Sequence, residues 1–565
     1  MRKLSLMVAT VAVSLAASAA FAAPRQHAWP SADQQLKSSR VQPGTALEKL
    51  ILNNQDFGML RAEEAGDKIP VPLWLRVYWR KGHPEGKYSA SDPTGGYPLV
   101  LKEMAEWMRL HQDLVPTEAD TLRAPGFDGD DDAEAKASSP INEKTTVGGN
   151  VRTSGLQTVP RSESDIRINY WNPTQVIVAS NNIGGTGQQA QYYSSNGGLT
   201  WGQSFLPLFS TDSFHSDPTV DWTSDGTAWS TTIGIKGQTL KMRAYKSTNG
   251  GATWVYDNTF SGSQRSTDKQ IMWVDHSATS AFKDYIYVCW HNGNPAYVSR
   301  RNGPAGAWST AIQVSGAETS GTAIGCSMGS NASGDAFVFW PTTGNSRIVM
   351  AKSTNGGTTW GTPKVIATTK DSYDIGVPSF ASRRALIYVS GAAYRTATLN
   401  NVYASWVDLT GATGCTAPAN EPGTNVASTC KSRVWVARST DGGTTWSAPV
   451  MTNNQASLND QFNQWLGVDD TTGRLALIYY DTVGDAGRKK TDIWYQTSAD
   501  NGATWSAATK LTTGQTDETI AGANSGNQYG DYNSLSIYAG KIFPSWTDRR
   551  SGGKEEIWTV PVIEP

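Results

Sequence analysis

From about residue 160 to its end the chain is a succession of short apolar runs, each bounded by Gly, Asn, Asp, Ser or Pro. Runs of five to eight residues alternating apolar and polar predict half-buried strands. Pro218–Trp222, Thr227–Ile233, Leu240–Lys246 and Trp254–Phe260 make one set of four, and Asn533–Ile537, Lys541–Thr547 and Glu555–Val560 make a final set of three. Ahead of residue 117 the pattern differs. Thr45–Leu52 predicts a helix, and Leu73, Leu75, Val77 and Trp79 alternate as a strand would. Pro98–Leu114 predicts a second helix, with proline in its first turn and Leu101, Met104, Ala105 and Met108 on one face. Residues 23–116 therefore read as a small α/β N-terminal domain or pro-region, and the Asp/Glu/Ser/Thr/Pro-rich residues 117–149 as a mobile acidic linker. Asp128, Asp130, Asp131 and Asp132 lack the EF-hand order and read as a solvated acidic run.

A longer period overlies the strands. The octapeptide S-x-[DN]-x-G-x-T-W occurs five times, at Ser194–Trp201, Ser247–Trp254, Ser353–Trp360, Ser439–Trp446 and Ser498–Trp505. Ser and Asp/Asn side chains bond the backbone of their own turn, Gly supplies positive φ, and Trp is an apolar plug. These residues resemble the Asp-box (BNR) repeat of sialidases and other secreted propellers. Trp201 to Trp254 is 53 residues, and Trp254 to Trp360 is 106, with a degenerate copy at Asn302–Trp308 midway. Trp360 to Trp446 is 86 residues, one unit plus an insertion, and Trp446 to Trp505 is 59. Counting units predicts an all-β propeller over residues 150–565, with seven four-stranded blades. The incomplete last blade takes its outer strand from Asn150–Val159. The box is a folding device, so its five tryptophans are expected to be structural.

Composition adds a compartment. Arg2 and Lys3, an apolar run Leu4–Phe21 and Ala20-Phe21-Ala22 form a signal peptide over residues 1–22, predicting a secreted or periplasmic protein. Four cysteines suit an oxidising compartment, with Cys415 and Cys430 pinning a Gly/Pro/Asn-rich loop and Cys289 and Cys326 left as the second pair. A formal charge of −2 with no clustered basic face gives no nucleic-acid footprint. No segment beyond the leader is long and apolar enough to span a bilayer. A monomer is expected.

The box lies between the third and fourth strands of a blade, so a site belongs on the opposite face. There Asp165, Asp217, Asp268, Asp374, Asp460 and Asp531 stand at or just before inner strands, and other loops add Asn181, Asn182, His291, Asp408, Asp481, Arg549 and Arg550. Like charges in one funnel need a cation, protons or arginines to offset them. No cofactor is required, and calcium at Asp165, Asp374, Asp460 and Asp531 is one such offset. Gly530-Asp531-Tyr532-Asn533-Ser534-Leu535 is similar to the stretch carrying the tyrosine nucleophile of sialidases. That resemblance implies Tyr532 as nucleophile, Asp217 or Asp268 as acid/base, and Arg265, Arg549 and Arg550 as binders of a sugar carboxylate. The family's Arg-Ile-Pro motif is missing, Arg161 and Arg167 being only nearby. The glutamate that activates the tyrosine has no clear counterpart, Glu518 lying upstream. Three functions stay open: a sialidase-like glycoside hydrolase on acidic extracellular glycans, a polysaccharide lyase using His215 or His291 with a tyrosine on a uronate, and a non-catalytic glycan- or protein-binding propeller.

Overall fold

The computed structural model describes residues 46–60, 73–82 and 146–564. The leader, the Pro98–Leu114 segment and the acidic run at 128–132 lie outside the described residues. The chain divides into two compact units, Met1–Ala133 and Glu134–Pro565.

In the first unit the expected helix is present as Ala46–Leu52. The expected strand is not: Leu73–Gly82 is an α-helix burying Trp74, Leu75 and Val77. Seven of those ten residues are Leu, Trp, Val, Tyr or Gly, and an apolar run this short fits either period. Lys81 Nζ donates to the carbonyl of Asn53 at 2.7 Å, joining the two helical segments.

The second unit is a propeller of seven blades, as expected. Six are four-stranded antiparallel sheets with inner strands Arg161–Ile168, Phe214–Trp222, Thr267–Val274, Ser327–Ser330, Ser390–Arg395 and Gln461–Val468. The seventh is built on Ser534–Tyr538, Lys541–Asp548 and Glu556–Thr559, and Val151–Arg152 closes it by pairing Val151 with Thr559. Closure from the N-terminal side was expected over Asn150–Val159. The pairing instead starts earlier, at Thr146–Val147 against Val562–Ile563, and residues 153–159 form turns and bends. The propeller therefore begins inside the stretch read as linker.

Each box folds by the same bonds. Ser194 Oγ accepts from Gly198 N at 2.9 Å, and the equivalent bond recurs at 2.9 Å in the other four boxes. Gly198 has φ +86°, and a Cβ there would lie 2.6 Å from the ring of Phe543, so side-chain chemistry and packing both require glycine. Blades pack face to face: Ile177 and Ala179 of the first meet Val220, Trp222, Tyr245 and Trp254 of the second. Trp308 fills the degenerate box position, stacked on Phe260 at 4.3 Å.

The long spacing before Trp446 holds two insertions. A small hairpin, Asp374–Ile375 with Ala385–Leu386, precedes the inner strand of blade five. Asp374 thus leads this hairpin and not the inner strand. The second insertion, between Asn400–Leu409 and Ser432–Ser439, carries the Cys415–Cys430 disulfide. Cys289–Cys326 also forms and ties blade three to blade four.

Candidate functional site

An inner strand has a free edge facing the axis, and its N–H groups need partners. Here the preceding blade supplies side chains. Val220 N donates to Asp165 Oδ2 at 2.8 Å, Met272 N to Thr219 Oγ1 at 3.1 Å, Gly391 N to Ser327 Oγ at 3.1 Å and Leu466 N to Ser390 Oγ at 2.8 Å. Across the closure, Ile166 N reaches Ser534 Oγ at 3.5 Å. These bonds set one register round the propeller.

Two residues before each of those five accepting side chains, and at the same step before Ile271 and Trp465, the chain forms a collar at the channel mouth: Glu163, Asp217, Lys269, Gly325, Tyr388, Asn463 and Tyr532. In four blades the collar residue sits in a β-bulge with left-handed backbone: Glu163 at φ 58°, Asp217 at 52°, Lys269 at 48° and Asn463 at 47°. Gly325 has φ +72° at the same step of blade four. A bulge re-aims one side chain without breaking the strand, and strained non-glycine backbone concentrates at functional sites.

The collar is electrostatically coupled. Burial, with Asp217 adding to it, pushes the Glu163 carboxyl up to about 8, and burial with Asp268 pushes Asp217 up to about 6. Glu163 is therefore the protonated partner near neutral pH and bonds the Asp217 carboxylate. Asn181 holds both, its Nδ2 donating to Glu163 Oε2 at 2.6 Å and its Oδ1 accepting from Asp217 N at 3.0 Å. Burial pulls the Lys269 ammonium down to about 8, against the opposing effect of Asp217 and Glu163. Lys269 Nζ lies 3.4 Å from the centroid of the Tyr532 ring. Burial, then Asp217 and Glu163, hold the Tyr532 phenol well above its usual range, and its hydroxyl donates to Pro218 O at 3.3 Å, a long and weak bond. Asp268 stands beside Lys269 with its side chain 45% exposed, and His291 Nε2 is 3.8 Å from its Oδ2.

Of the residues expected at the site, Tyr532, Asp217, Asp268 and His291 come together. The three arginines do not join them. Arg265 reaches Thr239 Oγ1, Arg549 bonds the carbonyls of Asp517 and Gly553, and Arg550 Nε is 2.8 Å from Asp548 Oδ2. Arg161 is spent on Tyr192, Asn182 and Gln157, and Arg167 on Asp165 and Ser534. His215 bonds Tyr245 inside blade two, and burial lowers it to about 4. Glu518 pairs with Glu555 beside Tyr529, so the glutamate of the collar is Glu163. The four aspartates considered for calcium are dispersed. Asp165 accepts from Arg167, Ser534, Thr219 and Val220; Asp374 pairs with Arg384, Asp460 with Arg488 and Asp531 with Arg383. Among the described residues no group of three or more His, Cys, Asp or Glu is disposed to hold a metal. Arg383, Glu163 and Lys269 were not anticipated. Arg383 is carried over the collar by the hairpin insertion; its side chain reaches Gly526 O and Asp531 and comes within 3.9 Å of Glu163.

Seven blades, five boxes with one bonding scheme and a collar at the opposite face define a seven-bladed Asp-box propeller. A family model described as BNR repeat-like domain matches residues 427–523. The matched stretch holds two of the five boxes, Ser439–Trp446 and Ser498–Trp505. No curated protein matches. Among solved structures it is similar to the NanB sialidase of Streptococcus pneumoniae, at 10% identity and TM-score 0.39 over 59% of this chain and 67% of that one. It is also similar to the BP39L lectin of Burkholderia pseudomallei, at 11% identity and TM-score 0.42 over 70% and 98%. A PL25 ulvan lyase gives 14% identity and TM-score 0.34 over 59% and 79%. Likenesses this distant do not bear on chemistry.

Proposed function

We propose that this protein is an exported glycoside hydrolase of sialidase-like type, cleaving extracellular glycans at the collar. The carrying observation is that a tyrosine, a glutamate and an aspartate, Tyr532, Glu163 and Asp217, occupy equivalent inner-strand positions of three neighbouring blades. Glu163 and Asp217 are too close to act as the two separated carboxylates of an ordinary glycosidase, whose spacing is about 5–9.5 Å. A tyrosine nucleophile removes that requirement. In this reading Tyr532 Oη attacks the anomeric carbon, and Glu163, once ionised, takes its proton. A raised pKa makes that carboxylate a stronger acceptor for a phenol. Asp217 or the more exposed Asp268 protonates the departing oxygen. The two disulfides fit an oxidising compartment and so support export.

The test is a screen of the protein against chromogenic glycosides, sialosides and glucuronides included, and acidic polysaccharides. Hydrolysis is expected, with Tyr532→Phe lowering kcat on the order of 10²-fold or more at unchanged melting temperature. No cleavage of any glycan, unsaturated products of elimination, or a fully active Tyr532→Phe would overturn it.

A further inference from the structure

The channel has a second end, on the box face. Inner strands run from the collar to that face, and Tyr170, Trp171, His276, Tyr394, Asp470 and Tyr538 stand where they end. Between the two ends lies a cavity of about 470 Å³, with Tyr170, Trp273, Trp465, Val468 and Ile537 in its wall and no collar residue. Gly329 also lines it. Its φ is not left-handed, and a Cβ there would meet nothing closer than 3.7 Å, so neither backbone nor packing demands glycine. Glycine weakens a strand, and here it keeps the bore wide.

The charged groups at this end are committed, with one exception. His276 Nε2 is 2.8 Å from Asp221 Oδ1, and Arg395 Nη1 is 3.3 Å from Asp335 Oδ2. Lys283 Nζ lies 5.9 Å from the centroid of the Trp171 ring. Asp469 accepts from the backbone N–H groups of Thr471, Ala539 and Gly540. Asp470 is exposed and makes no hydrogen bond or ion pair among the described residues. It stands in a recess. Crowding pushes its carboxyl up to about 7, with His276 opposing and Asp469 and Asp275 adding. Its charge reaches the phenols of Tyr170, Tyr394 and Tyr538. Tyr170 and Tyr538 stack at 4.5 Å, and Trp171, Tyr394 and Tyr538 are only half-buried. One free carboxylate cannot supply the several oxygens a metal ion needs. With aromatic rings beside it, it suits a weakly hydrated organic cation.

We infer that the box-face end of the channel is a second ligand site, separate from the collar, for a soluble organic cation: an alkylated ammonium held by Asp470 and the tyrosine rings, with its apolar chain in the cavity. The site does not depend on what the collar does. The cavity wall fixes the direction of the ligand. Arg167 lines it further in, so the ammonium stays at the rim and the chain points inward. Burying that chain against tryptophan, valine and isoleucine adds to the affinity that the charge alone provides.

The experiment is calorimetric titration of the intact protein at about pH 8, where Asp470 is ionised. The probes are hexyltrimethylammonium, tetramethylammonium, phosphocholine and uncharged hexanol, against wild type, Asp470→Asn, Gly329→Val and Tyr532→Phe. Wild type is expected to bind hexyltrimethylammonium more tightly than tetramethylammonium or hexanol. Phosphocholine should bind more weakly than tetramethylammonium, because its phosphate meets Asp470 and its acidic neighbours. Asp470→Asn should weaken both ammonium ions by about 10-fold, the effect of a unit charge a few ångströms away in a partly screened recess, and leave hexanol unchanged. Gly329→Val should fill the bore, lowering affinity for hexyltrimethylammonium to that for tetramethylammonium. Tyr532→Phe should leave every affinity unchanged, since no collar residue lines the cavity. Melting temperatures check folding. If Gly329→Val does not fold, Asp470→Asn decides, because its side chain is exposed. The inference is overturned by no ammonium binding, by hexanol equalling hexyltrimethylammonium, by tighter binding of phosphocholine, by unchanged affinity in folded Asp470→Asn or Gly329→Val, or by loss of binding in Tyr532→Phe.

Discussion

Left-handed backbone at a non-glycine residue costs on the order of 1 kcal/mol or more. Four such residues at one register, Glu163, Asp217, Lys269 and Asn463, aim the polar groups of the collar. The Glu163–Asp217 pair titrates as a unit, with one step near 6 and another near 8. Only the singly protonated pair reacts, through its minor form with the proton on Asp217 and Glu163 ionised; below the first step no base remains, and above the second the acid is lost. The pH–kcat profile should therefore be a bell bounded by about 6 and 8, and Glu163→Gln should lower its plateau and abolish its alkaline limb as a Glu163 step. A profile flat across that range would remove the dyad from the chemistry. The sequence disclosed only part of this arrangement. Its leading aspartates lie at different registers: Asp165 two residues past the collar position, Asp268 and Asp531 one before it, and only Asp217 on it. A bulge moves every following side chain to the other face, so counting from turns could not align them. Aligning Glu163-Ser164-Asp165-Ile166 with Lys269-Gln270-Ile271-Met272 and Tyr532-Asn533-Ser534-Leu535 by their apolar residues places Glu163 and Lys269 in the column of Tyr532.

At the scale of elements, the blades were legible because each box carries its own turn chemistry within eight residues. Leu73–Gly82 was not, because nothing local separates a short helix from a short strand there. The box tryptophans are unequal. Trp254 is 5% exposed with Nε1 bonded to Gly251 O at 3.0 Å, whereas Trp201, Trp360, Trp446 and Trp505 are half-buried. Trp254→Ala should cost about 3–5 kcal/mol, as for a buried large aromatic, and the other four less; denaturant titration of the five variants checks the order. Closure rests on a shorter strand than the sequence suggested. Arg152 Nε is 3.0 Å from Glu556 Oε2, and Glu556 is fully buried. Removing the guanidinium leaves a desolvated carboxylate, so Arg152→Met should destabilise by about 1–3 kcal/mol. Equal melting temperatures for Arg152→Met and wild type would show that the closing strand contributes little.

For the whole molecule, stability should depend on pH through groups that titrate differently folded and unfolded. Burial lowers His215 to about 4, below its ordinary 6.5, so the unfolded chain takes up a proton first on acidification. That group's contribution is present above 6.5 and lost as pH falls towards 4. Glu518 works in the opposite direction. Burial, with Glu555 next to it, raises it from 4.5 to about 9, and neither oxygen accepts a hydrogen bond from a donor. Folded Glu518 keeps its proton while the unfolded chain releases it, so its contribution is complete below 4.5 and lost as pH rises through about 9. Glu163, raised from 4.5 to about 8, acts in the same sense. Acid and alkaline losses then bracket a stability maximum near pH 4.5, because between 4.5 and 6.5 the two glutamates outweigh the one histidine. Glu518→Gln isolates one side of that bracket, because an amide of the same shape has no proton to lose. Its melting temperature relative to wild type should climb steadily as pH rises from 4.5 towards 9, with little difference at the acid end. Melting curves for both proteins over that range decide the point: a difference that does not grow with pH would mean that folded Glu518 is already ionised, its charge offset by the Arg549 guanidinium beside it.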